Sequence, residues 1–144
     1  MMFPKQVLLD LRGFDARYFM YGEDIDLCYR IKQLGLKTYY LSTVHLFHYH
    51  GASAKKHKQA FFSTLMQKES VYMFMLAHYG PVQAFLYRIA WLVTGSMRVI
   101  LLGIVYAMSC LIGVRQNVFS DPLSKYFRVI VWSAGSEKWT REGR

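Results

Sequence analysis

Three carboxylates lie close together in residues 22–28, directly after the aromatic run Tyr18-Phe19-Met20-Tyr21. They belong to Glu23, Asp24 and Asp26. Carboxylates grouped in this way can supply a general base, which takes a proton from a reacting hydroxyl. The same acids would also suit the positive end of a helix dipole, where each contributes about 0.3–1 kcal/mol. The residue types alone therefore leave a catalytic and a structural role open.

The segment that holds these acids has the spacing of an amphipathic helix. Its apolar residues recur three positions apart, at Ile25, Cys28, Ile31 and Leu34, and this spacing keeps one face of a helix in the core. Gly35 predicts the end of the helix, because glycine adopts the left-handed conformation that helix ends often need. The acids are therefore expected in the first turn of a helix, beside a loop and with aromatic residues nearby.

A longer string surrounds the acids, and it carries a resemblance to a known family. It begins Arg12-Gly13-Phe14-Asp15, continues through the acids to Tyr29-Arg30, and is followed later by His48-Tyr49-His50-Gly51-Ala52-Ser53. This string resembles family-2 glycosyltransferases, above all the bacterial rhamnosyltransferase-type enzymes. Their pattern reads roughly Gly-Gly-Phe-Asp-Glu, aromatic residues, Gly-Glu-Asp-x-Asp-Leu and then His-His-x-Gly-Ala-Ser. The sequence departs from it at Arg12, where the family favours a second glycine.

The resemblance implies the C-terminal half of a GT-A domain. The expected fold class is α+β, with the C-terminal portion of a Rossmann-like α/β domain followed by a mostly helical, membrane-associated tail. Strands are predicted at residues 1–3, 37–41 and 44–49, the second of which is rich in β-forming residue types. The predicted boundaries are 1–55 for the catalytic part, 56–80 for a linking helix, 81–116 for a membrane-associated segment, and 117–144 for an amphipathic helix and polar tail.

The resemblance also implies roles for the residues of the acidic segment. Asp24 is expected to be the base that takes the proton of the acceptor hydroxyl, and Glu23 its catalytic partner. Tyr21 and Asp26 are expected to bind the acceptor.

A second group of predicted contacts follows the acidic segment. His48 is expected to help hold Mg²⁺ or Mn²⁺, with most ligands coming from the nucleotide-binding half of the family's domain, which this sequence does not contain. Contact with a diphosphate or a lipid phosphate is expected at His50, Lys55 and Lys56. On an extended strand His48 and His50 would share one face and His45 the other, which argues against a zinc site of three histidines. Ordinary strand histidines and solvated lysines remain the alternative.

The charge of the chain favours anionic partners. Its formal net charge is +9, from 18 Lys and Arg against 9 Asp and Glu. Such a chain can bind anionic lipid or phosphorylated substrates. Nucleic acid is not expected as a partner, because basic residues are dense only at residues 55–58 and no nucleic-acid-binding motif is present. The two cysteines indicate no disulfide framework and favour a reducing compartment.

The most apolar part of the chain is residues 82–114, where the charged residues are Arg88 and Arg98. Three arrangements fit it: a tilted membrane span, a helix pair bent near residues 94–96 and lying in one leaflet, or a buried soluble hairpin. Basic residues flank both ends, so charge does not choose an orientation, and the in-plane arrangement is preferred. A further helix with an interfacial Trp132 is predicted after it, ending at Gly135.

Together these features predict a transferase at the cytoplasmic face of the bacterial inner membrane. It would transfer a sugar, with inversion, from a nucleotide-diphosphate donor to a cell-surface polysaccharide or lipid-linked acceptor. The chain alone is expected to be inactive because the nucleotide-binding half is missing. The alternative is a non-catalytic, membrane-anchored interaction module that keeps only the acceptor-side surface.

Overall fold

The computed structural model describes residues 2–45, 47, 62–112 and 120–135. These residues form the following helices: α1 Lys5–Asp10, α2 Glu23–Gln33, α3 Phe62–His78, α4 Pro81–Ile112 and α5 Ser120–Ser133. The chain divides into two compact units, residues 1–74 (unit 1) and residues 75–143 (unit 2).

The expectation of an α+β fold with a Rossmann-like GT-A portion is wrong, because the part of the chain that the structure describes contains no strand. The predicted strand at residues 37–41 is irregular, and Tyr39 and Tyr40 in it are 78% and 91% exposed. A strand forms only when a second backbone completes its hydrogen-bond ladder. No described residue forms a bridge to this run, so its β-forming residue types do not produce a strand.

Helix α1 ends in a turn at Arg12, the position at which the sequence departs from the resembled pattern. The Gly13 N–H donates to the Leu8 carbonyl at 2.8 Å, and the Arg12 N–H donates to the Leu9 carbonyl at 3.0 Å. Together these two bonds make the Schellman ending of a helix, which places one residue in the left-handed region and favours glycine there. That residue is Arg12, with a φ of +56°. The family's preferred glycine would therefore suit the backbone at this position.

Helix α2 confirms the helix predicted from residue spacing, and Gly35 ends it with a φ of +76°. The buried face agrees with the prediction only in part. Ile31 is buried as predicted, but Ile25 and Leu34 are exposed, and Asp26 and Leu27 are fully buried. The helix is turned so that its polar Asp26 faces inward, which the apolar spacing did not predict.

Helix α3 completes the core of unit 1. It confirms the predicted helix over residues 62–78, and the part predicted for residues 56–61 lies outside the described residues. Leu65 and Met66 of α3 are buried. The Phe74 ring meets Tyr29 of α2 edge to face, with 5.3 Å between ring centres. Helix α3 therefore contacts α2 through this ring pair.

Unit 2 is built from α4 and α5, which pack against each other. Helix α4 begins at Pro81, as predicted, and continues without interruption through residues 94–96. Gly95 serves close packing, because a Cβ there would lie 3.0 Å from Ile130 Cγ1 of α5. Helix α5 confirms the last predicted helix, which ends at Gly135 with a φ of +79°.

One segment of α4, Pro81–Cys110, is long and apolar enough to cross a membrane. Only 6% of its most apolar window is buried inside the structure. A core helix of a soluble protein would be mostly buried, so the exposure of this helix favours membrane association.

Candidate functional site

The acids are positioned by a tight turn that leads into α2. Tyr21 and Gly22, the last two residues before the helix, have φ angles of +63° and +101°. A left-handed backbone costs a non-glycine residue about 1–2 kcal/mol, so the turn is held by its surroundings. As a result Glu23 and Asp24 begin the helix and Tyr18 faces Asp26.

Helix α3 holds this turn from one side. The Ser70 hydroxyl donates to the Met20 carbonyl at 2.8 Å. A Cβ on Gly22 would lie 2.9 Å from Ser70 Cβ, so glycine allows the close approach of α3. Phe19 meets Phe62 of α3 edge to face at 6.3 Å. These contacts make α3 a positioning element for the acids.

Gly22→Ala is expected to lower the free energy of opening of α2 by roughly 2–4 kcal/mol, because it adds both backbone strain and a clash with Ser70. Hydrogen exchange of the α2 amides in the full chain measures this free energy. Gly13→Ala is the matched control, since Gly13 has a φ of +73° and open space around its Cβ position. Equal losses in the two variants would show that the Ser70 contact has no effect.

Asp26 is fully buried, and its bonds tie α2 to the turn after α1. Its Oδ2 accepts from Arg30 Nε at 2.7 Å, and its Oδ1 accepts from the Tyr18 hydroxyl at 3.3 Å. Arg30 also donates to the Leu11 and Gly13 carbonyls at 2.7 and 2.9 Å. The acceptor-binding role predicted for Asp26 stays a prediction, and it would require the carboxylate to give up one of these bonds.

Tyr18 and Arg30 are positioning residues that the sequence analysis missed. The four-residue separation of Asp26 and Arg30 is a signal for Arg30, because such pairs share one helix face. Burial, followed by the charge of Asp26, raises the pKa of the Tyr18 hydroxyl. The hydroxyl therefore stays protonated at neutral pH and remains a donor to Asp26.

The other two acids have different surroundings. Asp24 is exposed, and its Oδ1 accepts the N–H of Ile25 at 2.9 Å. Glu23 is half-buried, and its Oε2 is buried without a hydrogen-bond partner in the part of the chain described. A buried acceptor of this kind is uncommon and can be satisfied by a ligand or water. Asp24 is thus open to a reacting hydroxyl, while Glu23 offers an unused acceptor beside it.

Two open cavities lie along α2, with volumes of about 490 and 870 Å³. They share the side chains of Cys28 and Leu36 and the irregular residues 37–39. No carboxylate of the described residues lines either cavity. Asp24 is exposed and lies outside both of these cavities.

Comparison with known proteins gives one partial match. Over 53 residues the chain is 43% identical to Rhamnosyltransferase WbbL of Escherichia coli (strain K12). The chain contains a glycosyltransferase-like region. The matched stretch is 37% of this chain and 19% of that protein, so the chain spans about a fifth of the length of the relative it matches. No family model matches the chain, and no solved structure matches it.

The residues predicted to bind a phosphate or a metal ion stay predictions. His48, His50, Lys55 and Lys56 lie outside the described residues, so the predicted convergence of Asp24 and His48 stays a prediction. Among residues 2–45, 47, 62–112 and 120–135, no group of three or more His, Cys, Asp or Glu could hold a metal ion. The described acids therefore do not form a divalent-cation site by themselves.

Proposed function

We propose that the chain is part of a family-2 glycosyltransferase and carries the residues that bind and deprotonate the sugar acceptor. One observation carries the proposal: an exposed Asp24 beside the unpartnered Glu23 oxygen, in a chain with a stretch 43% identical to a rhamnosyltransferase. We propose that this stretch includes residues 12–30, which hold the family motif.

In the proposed reaction Asp24 takes the proton from an acceptor hydroxyl. The hydroxyl oxygen attacks the anomeric carbon of the donor sugar, and the bond from that carbon to the diphosphate oxygen breaks. Attack from the face opposite the leaving group inverts the configuration at that carbon. General-base catalysis of this kind contributes about 10²–10⁴-fold to a rate. The open position of Asp24 at the start of α2 leaves room for the acceptor.

Glu23 and Tyr21 would hold the acceptor next to Asp24. In this proposal Glu23 Oε2, which has no hydrogen-bond partner among the described residues, accepts a hydrogen bond from a second acceptor hydroxyl. Tyr21 is half-buried in the left-handed turn directly before these acids. Asp26 and Arg30 would act through the backbone, because they fix the turn from which these side chains project.

The remaining partners are proposed from the family resemblance. The donor is a nucleotide-diphosphate sugar, and the acceptor is a polysaccharide or lipid-linked saccharide at the cytoplasmic face of the bacterial inner membrane. His48 would help hold Mg²⁺ or Mn²⁺, and His50, Lys55 and Lys56 would contact a diphosphate or lipid phosphate. We also propose that this chain alone transfers no sugar.

A chimeric enzyme tests the proposal. The stretch of this chain that includes residues 12–30 replaces its counterpart in the E. coli rhamnosyltransferase, and rhamnosyl transfer to the acceptor of that enzyme is measured. Retained transfer supports the proposal. A folded chimera without transfer contradicts it and favours the alternative, a non-catalytic membrane-anchored module, which the exposed apolar surface of α4 also suits.

A further inference from the structure

An apolar stripe runs along α4, and further exposed apolar side chains lie outside it in the last third of the helix, including Leu101, Val105 and Met108. The stripe, here called the outer face, consists of apolar side chains that recur with the period of a helix. Its members include Val82, Leu86, Val93, Met97, Ile100 and Ile104, which are 51–64% exposed. The outer face runs along most of the helix and has no covering element among the described residues of unit 2.

The opposite face of α4 packs on α5 and carries both of the helix's charges. The Arg88 guanidinium lies 5.5 Å from the centre of the Trp132 ring. The Arg98 guanidinium lies 5.1 Å from the centre of the Tyr126 ring, and it donates to the Tyr126 hydroxyl at 3.2 Å. Such cation–aromatic contacts are favourable and grow stronger as water is removed. The outer face therefore stays free of charge.

The position of Arg98 argues against a membrane crossing centred on α4. Helix α4 has 32 residues and is about 48 Å long, whereas the hydrocarbon core of a bilayer is about 30 Å thick. Arg98 lies near the middle of α4, so a crossing centred on the helix would place it deep in hydrocarbon at a cost of a few kcal/mol. Helix α5 has 14 residues, about 21 Å, and is too short to return across the bilayer.

We propose that α4 and α5 form an in-plane membrane anchor in one leaflet. The outer face of α4 lies in the acyl chains, and α5 covers α4 on the headgroup side. The exposed Arg128 of α5 then lies near lipid phosphates. Anionic lipid is the expected partner, because α4 contains no acidic residue and the chain carries a net charge of +9. This inference does not depend on the proposed sugar transfer.

Depth measurements on the full chain test the anchor. Cys28 and Cys110 are replaced by serine, and single cysteines are placed at Leu86, Val93 and Ile104 on the outer face for spin labelling. Vesicles contain equal parts of phosphatidylcholine and phosphatidylglycerol, and collisions with oxygen and with a water-soluble nickel complex give each label's depth. We expect the same shallow depth for all three, about 5–10 Å below the headgroups.

The competing arrangements give different results. In a crossing, Leu86 and Ile104 would differ in position along the bilayer normal by up to about 27 Å, so depths that pass through the bilayer centre would overturn the proposal. Few collisions of all three labels with either oxygen or the nickel complex would also overturn the proposal. That result would indicate that the outer face is buried between copies of the chain. A label at the exposed Ser124 of α5 is the control, and we expect it to meet the nickel complex. Circular dichroism of each labelled variant establishes that the helices are intact.

Discussion

Replacing Asp24 by asparagine in the chimeric rhamnosyltransferase is expected to lower kcat by about 10²–10⁴-fold. Asparagine keeps the size of the side chain and its acceptor oxygen for the Ile25 N–H, but it cannot take up a proton. Because the acceptor is held by other groups in our proposal, the KM for the acceptor should change little. Initial rates at saturating donor, with the acceptor varied, separate the two quantities.

Asp10→Asn is the matched control for this experiment, made in a chimera extended to include α1. Asp10 is an exposed acid at the end of α1, and it accepts a hydrogen bond from the Gln6 side chain at 2.8 Å. Its replacement removes the same charge and should leave kcat unchanged. If Asp24→Asn and Asp10→Asn had the same kcat, Asp24 would have no part in the proton transfer.

Replacing Arg30 by methionine is expected to lower the free energy of opening of α2 by about 3–5 kcal/mol, because it leaves the buried Asp26 carboxylate without its ion-pair partner. It also removes the bonds to the Leu11 and Gly13 carbonyls, which connect α2 to the turn after α1. Hydrogen exchange of the α2 amides in the full chain gives this free energy.

Two further variants test whether the loss of stability comes from the ion pair between Arg30 and Asp26. Arg17→Met breaks an exposed ion pair with Asp15, and such pairs contribute about 0–1 kcal/mol. Combining Arg30→Met with Asp26→Leu removes both buried charges and should restore much of the lost stability. A loss for Arg30→Met no larger than that for Arg17→Met would contradict the role given to the buried pair.

The helices were predictable because their signals are local. The spacing behind Glu23, the glycines that end α2 and α5, and the apolar run after Pro81 each act within a few residues. Hydrophobic periodicity and end signals of this kind carry most of the information in a single sequence. The structure confirms each of these helices in the residues it describes.

The strands were not predictable in the same way, because pairing is not local. Residues 37–41 have the composition of a strand, yet no described backbone pairs with them. Propensity in a sheet reflects packing against neighbouring strands more than an intrinsic preference of the residue. The sequence therefore supported a sheet that is absent from the described residues.

The roles of the three acids at the candidate site were also only partly predictable from the sequence. Glu23, Asp24 and Asp26 are alike in chemistry and lie on one short segment, so the sequence could only offer them as a group. Burial separates them: Asp26 is enclosed with Arg30, Glu23 is half-buried and Asp24 is exposed. That separation depends on which face of α2 is buried, and the apolar spacing predicted this face only in part.

The role proposed for Asp24 and its surroundings is best measured by the rate of rhamnosyl transfer by the chimera, per folded molecule and at saturating donor. We expect a rate within about ten-fold of that of the E. coli enzyme, which corresponds to a change of less than about 1.4 kcal/mol in the barrier. A chimera that is folded but no faster than the same chimera carrying Asp24→Asn would contradict this role.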